Sequence, residues 1–302
     1  MRLSWLVPFT LIASASLPAQ QKEQKVLLGH AASATVSIRL MAAVGNIRVI
    51  GWERDSVEMS GAVPFGVKVE LFGGTPTERS KGIKAFADVP ADQSGREGKL
   101  LLKVPRRATV WLKTGSAEVD VSGVVGGLDL NIVGGSIAVH GSPRELRAES
   151  MDGNVVVDGA PDWMRVKTAT GDITLNGGQD VGASTISGAI RTSGGEVERA
   201  KLETTTGGIS FSNTLARGAN VELETHSGPI DILFASHADV ELDAATITGA
   251  IDNLWIKQRP VPGREGRGMT FAASSGTGSA RVTARSFKGT IQLRSQVPIF
   301  SK

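Results

Sequence analysis

The chain has 302 residues, a formal net charge of +3 from 33 Lys and Arg against 30 Asp and Glu, no cysteine, and only 5% aromatic residues. Charges this balanced, with no basic stripe interleaved with aromatics, exclude the electrostatic footprint of a nucleic-acid binder. The lack of cysteine excludes a disulfide-stapled scaffold, and 37 glycines among many Val, Thr and Ser residues favour short strands and turns over helices.

At the N-terminus, Arg2 precedes an apolar run ending at Leu17, with Ala13-Ser14-Ala15 and Leu17-Pro18-Ala19 as small-residue cleavage sites. Residues 1–19 read as a secretory signal peptide, too short to be preferred as a membrane span. The expected location is therefore the periplasm, the cell surface or the extracellular space, and no later segment has the length or apolarity of a membrane span. Residues 26–107 are less regular, and read as an N-terminal β cap with the first coils. One clean unit, 40–51, is followed by strand-like runs at 57–60, 67–72 and 99–104, with polar, Gly-bearing loops at 73–84 and 88–98. A cap is needed because an uncovered first coil would pair edge to edge with another chain.

Residues 108–302 are repetitive. A glycine followed two residues later by Ile or Val recurs at Gly135, Gly153, Gly171, Gly188, Gly207, Gly228 and Gly249, at spacings of 18, 18, 17, 19, 21 and 21. A period near 20 with strand-like contents specifies a β-solenoid, in which each coil buries its apolar face only against its neighbours. In one coil, Val166, Thr168 and Thr170 share a strand face, Gly171 turns the corner, and Ile173 and Leu175 share the next face. The corner glycine is expected because such turns often pass through positive φ, where a Cβ clashes. Three residues before each later corner stands a hydroxyl: Ser150, Thr168, Thr185, Thr204, Thr225 and Thr246. The pleat puts this column on the inward side with Val166, Leu202 and Leu223, and a spacing of about 4.8 Å between coils lets like side chains form ladders. The expected fold is all-β, a single-stranded β-solenoid of roughly ten coils with an irregular N-terminal β cap. Residues 257–268, rich in Pro, Gly and Arg, interrupt the repeat and read as a projecting loop.

Several local patterns resemble a known family. These are Gly51-Trp52-Glu53-Arg54-Asp55-Ser56-Val57, Val104-Pro105-Arg106-Arg107, Lys113-Thr114-Gly115-Ser116, Val121-Ser122-Gly123-Val124, the recurrent Ser/Thr-Gly-x-Ile units, and Gly276-Thr277-Gly278-Ser279-Ala280-Arg281-Val282 with Ser286-Phe287-Lys288-Gly289-Thr290-Ile291. Together they resemble the bacterial putative-adhesin family of exported β-solenoid domains, over nearly all of the mature chain. The resemblance implies an exported, envelope-associated or surface protein, in some cases related to proteins near envelope-stress regulators, with no catalytic residues to carry over.

Parallel β-helices also host polysaccharide lyases and hydrolases, which need carboxylates clustered on adjacent coils. The residue after each corner glycine reads Ser136, Asn154, Asp172, Ala189, Gly208, Pro229 and Ala250, so no acidic column forms. Asp158, Asp162 and Asp180 fall in loops of neighbouring coils, where turn formation and solvation account for them. The histidines His30, His140, His226 and His237 lack metal-ligand spacing, and Ser275-Gly276-Thr277-Gly278-Ser279 lacks the Lys and helix of a phosphate loop. No cofactor or metal is expected.

The expected function is a non-catalytic adhesive, structural or binding module of the cell envelope. The alternatives are a polysaccharide-active β-helix enzyme or a partner in envelope-stress regulation. A glycan or a cell-surface protein is the expected partner. Loop residues Trp163, Trp255, Arg264 and Arg267 are the candidate contacts, because Trp and Arg concentrate binding energy at interfaces.

Overall fold

In this computed structural model the described residues are 23–43, 45–73, 79–88, 98–263 and 266–296. The expected signal peptide, Val44, the centres of both N-terminal polar loops and Arg264 lie outside them. All regular structure among the described residues is strand, joined into one mixed sheet. The strands fall into two parallel rows that face each other across a core of aliphatic side chains.

In the leading row, most strands end at the hydroxyl column. β9 (Gly127–Gly134), β11 (Glu145–Ser150), β13 (Trp163–Thr168) and β15 (Asp180–Thr185) follow one another in parallel register. The row continues through the second halves of β16 (Ile190–Thr204) and β17 (Ile209–Thr225). In the trailing row, strands begin just after the corner glycine: β10 (Ile137–His140), β12 (Val155–Asp158), β14 (Ile173–Asn176), the first halves of β16 and β17, and β18 (Ile230–Phe234). Inward positions such as Leu146, Val166, Leu202 and Leu223 in one row, and Ile137, Val155, Ile190 and Ile209 in the other, are buried. Alternation at period two creates this core, and the β-solenoid-like stack multiplies it.

The ends of the stack depart from chain order, and they do so in the same way. β1 (Glu23–Ala42) and β2 (Asn46–Trp52) do not form the first rung. They lie between β5 (Ser80–Asp88) and β6 (Lys99–Pro105) on one side and β7 (Thr109–Ser116) and β8 (Glu118–Ser122) on the other. At the other end, β23 (Ala280–Ser286) and β24 (Ile291–Ser295) slot between β17–β18 and the earlier pair β19 (Val240–Thr246) and β20 (Ile251–Asn253). The glycine column repeats this order: Gly249 packs on Gly289, and Gly289 on Gly228.

Antiparallel strands cover both ends. β3 (Ser56–Pro64) pairs with β6 and with the first half of β1, and β4 (Lys68–Phe72) pairs with β5. Residues 80–84, expected in a loop, are strand, because Ile83 is buried in register with Ile38 of β1. Residues 257–268, expected to project, include β21 (Val261–Pro262), which pairs with β22 (Met269–Ser275). β22 in turn covers β19, because the last parallel rung would otherwise leave its edge open. Thr170, expected on a strand, is exposed in a turn: β13 ends at Thr168, and the N–H groups of Ala169 and Thr170 both donate to the Met151 carbonyl.

Candidate binding edge

The corner between the two rows follows one rule. The Thr168 hydroxyl accepts the Gly171 N–H at 3.0 Å and donates to the Gly153 carbonyl of the preceding coil at 3.3 Å. Thr185, Thr204 and Thr225 repeat both contacts. These hydroxyls therefore bond to backbone and not to one another, and their burial removes them from any ligand-facing array. The corner glycines from Gly153 to Gly249 also differ from expectation, since none has positive φ. Glycine is required there because a Cβ would overlap the carbonyl of the corner glycine one rung away.

Immediately after the hydroxyl, the chain turns outward. Here stand Val133, Met151, Ala169, Ile186, Thr205, His226, Phe287 and Ile247, in stacking order. Val133, Met151, Ile186, Phe287 and Ile247 are 42% to 58% exposed. The His226 ring stacks on Phe287 with centroids 5.0 Å apart and planes 10° apart. Between this ridge and the outward residues Ser184, Glu203, Glu224 and Arg285 runs a groove of 670 Å³. A second cavity, of 690 Å³, lies on the same edge nearer the N-terminus. The backbone N–H groups of Met151, Ala169, Ile186, Thr205 and Ile247 are all bonded to carbonyls of the neighbouring rung, so the edge presents side chains and no free strand donors.

The outer face of the leading row is a lattice of ion pairs. Asp180, buried at the start of β15, accepts from Arg165 at 2.8 Å and from Arg199 at 2.7 Å. Burial pushes its carboxyl up, but the hydrogen bonds from Arg199 and Arg165 outweigh burial and hold it below the usual carboxylate range. Arg285 similarly grips Asp243 with two guanidinium nitrogens and, through that hydrogen bond, lowers it.

A family model described as Toastrack DUF4097 matches residues 85–294. The chain belongs to this family. The Toastrack match begins inside β5, so it omits the β1–β2 rung that the structure places within the stack. No curated protein matches the sequence. Similar solved structures include a "putative cell adhesion protein" from Clostridium sporogenes, at 11% identity and TM-score 0.22, covering 91% of this chain and 100% of that one. A "putative lipid binding protein" from Parabacteroides distasonis has 11% identity and TM-score 0.46, and a "putative adhesin" from Bacteroides fragilis has 10% identity and TM-score 0.38. Each covers 91% of this chain and 98% of its own.

The residues singled out from sequence do not gather at one place on the Toastrack stack. Trp163 opens β13 on the outer face of the leading row, with the Arg165 and Arg147 guanidiniums 4.6 and 5.7 Å from its ring centroid. Trp255 follows β20 and packs on Phe234, centroids 4.4 Å apart, where it covers the end of the core. Arg267 is exposed beside β22, and Arg264 is outside the described residues. Asp158 pairs loosely with His140 at 4.0 Å, Asp162 is exposed, and Asp180 is neutralised by two arginines, so the three carboxylates do not form an acid–base pair. Among the described residues no three His, Asp or Glu side chains converge as a metal site.

The apolar edge was missed because it breaks the period-two alternation. Its signal was available: the residue following each column hydroxyl is often large and apolar where a turn calls for polar residues, as at Met151, Ile186, Ile247 and Phe287.

Proposed function

We propose that the chain is an exported, non-catalytic binding module of the cell envelope, a rigid rod of about ten coils whose apolar edge meets a cell-surface protein. The stripe of Met151, Ile186, Phe287 and Ile247 supports this reading. It is aligned by the stack and flanked by charged residues, the arrangement of an apolar patch inside a polar rim that marks interaction surfaces. A protein partner suits it better than a glycan because the exposed large side chains of the ridge are apolar and its backbone donors are already engaged. Trp163 and Arg267 would add contacts on flanking surfaces, as would Arg264, while Trp255 would act through the end of the rod.

Labelled protein titrated onto whole bacterial cells, before and after protease shaving of their surface, tests the reading. Saturable binding lost on shaving is expected. The double change Ile186→Asp with Phe287→Asp should weaken it by about thirtyfold or more, as expected for loss of a central apolar anchor. Trp163→Ala and Arg267→Ala should have smaller effects. Binding unchanged by the double change, or new reducing ends released from bacterial polysaccharides, would overturn it.

A further inference from the structure

The N-terminal cavity on the edge differs from the groove in its chemistry, and the inference from it goes beyond the protein-binding reading. Its apolar lining comes from Met41 of β1, Phe72 of β4, Phe86 of β5 and Val133 of β9, with Phe72 set edge-on to Phe86 at 5.9 Å between centroids. A volume of 690 Å³ falls within the range of about 300–1,000 Å³ typical of small-molecule sites.

The two ends of the cavity are unlike. At one, Lys68 lies 2.8 Å from Glu70 and opposite Asp88 in register, which leaves one excess negative charge. At the other stands Lys113, with no carboxylate of the described residues in ion-pair range. Beside it is Thr114, 5% exposed, whose hydroxyl has no hydrogen-bond partner. The regular corner explains this orphan. In later coils such a hydroxyl accepts the N–H three residues on, but here that N–H belongs to Ala117 and donates to the Gly134 carbonyl. That hydroxyl is shut into the corner on the inward face, so the polar group this end of the cavity presents is the Lys113 ammonium on the outward face.

We propose that this cavity binds a long-chain fatty acid. The carboxylate pairs with Lys113 Nζ, and the aliphatic chain lies over Met41, Val133, Phe72 and Phe86. The polarity of the cavity sets the orientation, because the opposite end would repel the head group. A peptide is disfavoured because the Ala43 N–H, which could pair with it, is already bonded to the Ala87 carbonyl.

The experiment titrates the full chain with 11-(dansylamino)undecanoic acid and with the corresponding primary alcohol, reading dansyl fluorescence. Saturable binding of the acid is expected. Lys113→Glu should weaken acid binding by tenfold or more and leave the alcohol unchanged, and Phe72→Asp should weaken both. Thr114→Val removes the orphaned hydroxyl on the inward face, so it should preserve or raise the melting temperature and leave acid binding intact. Lys167→Glu, an exposed charge reversal farther along the edge, is the control and should change nothing. No saturable binding, or equal loss in Lys113→Glu and Lys167→Glu, would overturn the proposal. Wild-type protein that binds cells yet fails to bind the acid would overturn this proposal alone and leave the protein-binding edge standing.

Discussion

At Thr204 and Gly207, one hydroxyl and one missing methyl group join two coils. Thr204 satisfies the Gly207 N–H at 3.1 Å and the Gly188 carbonyl at 3.4 Å, all inside the buried corner. Thr204→Val keeps the shape and strands both backbone groups, so it should cost about 1–3 kcal/mol in chemical denaturation, while the exposed neighbour change Thr205→Val should fall within about 0.5 kcal/mol. Gly207→Ala should be worse than Thr204→Val, because its Cβ meets the Gly188 carbonyl, a backbone group that cannot move without shifting the rung. Gly82→Ala, where a Cβ meets nothing within 4 Å, should be nearly neutral. Equal effects at Gly207 and Gly82 would show that close approach is not what selects the corner glycine.

Whole strands are placed by pairing, and the least expected placement is the insertion of late and early segments as inner rungs. β23 lies between β17 and β19, so Glu222 is in register with Thr283, and Thr283 with Asp243. Adjacent parallel strands are about 4.8 Å apart, within disulfide reach, whereas strands two rungs apart, at about 9.6 Å, are not. The cysteine-free chain makes a clean background. Glu222→Cys with Thr283→Cys should crosslink on mild oxidation, and Glu222→Cys with Asp243→Cys should not. Non-reducing gel mobility and mass spectrometry read the result; the reverse pattern would mean that the rungs stack in chain order. Burying both inserted pairs also lengthens contacts in sequence, which slows folding because distant segments must meet first.

For the whole molecule, the ion-pair lattice predicts acid lability. Asp172 lies below the usual carboxylate range chiefly through its hydrogen bond from Arg191, Asp243 through Arg285, and Asp180 despite burial through Arg199 and Arg165. Asp239 is lowered to about 2 by hydrogen bonds from Thr277 and Ser279, which tie the turn after β22 to the stack. A carboxyl lowered on folding stabilises the native state above its unfolded value, about 3.9, and that contribution is lost as pH falls through the folded value. Unfolding free energy should thus hold steady above about pH 5 and decline between about pH 4 and pH 2. Urea melts across that range test this. Asp239→Asn should flatten the most acidic part of the decline, and an identical acid limb in that variant would contradict the assignment.

The sequence determined the coil. Alternating apolar residues, a glycine every 17 to 21 positions and a hydroxyl three residues earlier appear in the structure as a buried two-row core with a bonded corner, because each is a short-range requirement written into consecutive residues. Trp163 was recognisable as partly accessible, yet its contact with both Arg165 of its own strand and Arg147 was not, since Arg147 comes from the neighbouring rung, where it is in register with Arg165. The order of the rungs was equally hidden. Every coil offers nearly the same apolar face, so local pattern cannot say that β23 precedes β19 in the stack; that choice is made by edge covering and by which face remains unpaired. The same holds for the binding edge. Met151, Ile186 and Phe287 are scattered in sequence, and only stacking at about 4.8 Å per rung turns them into one surface.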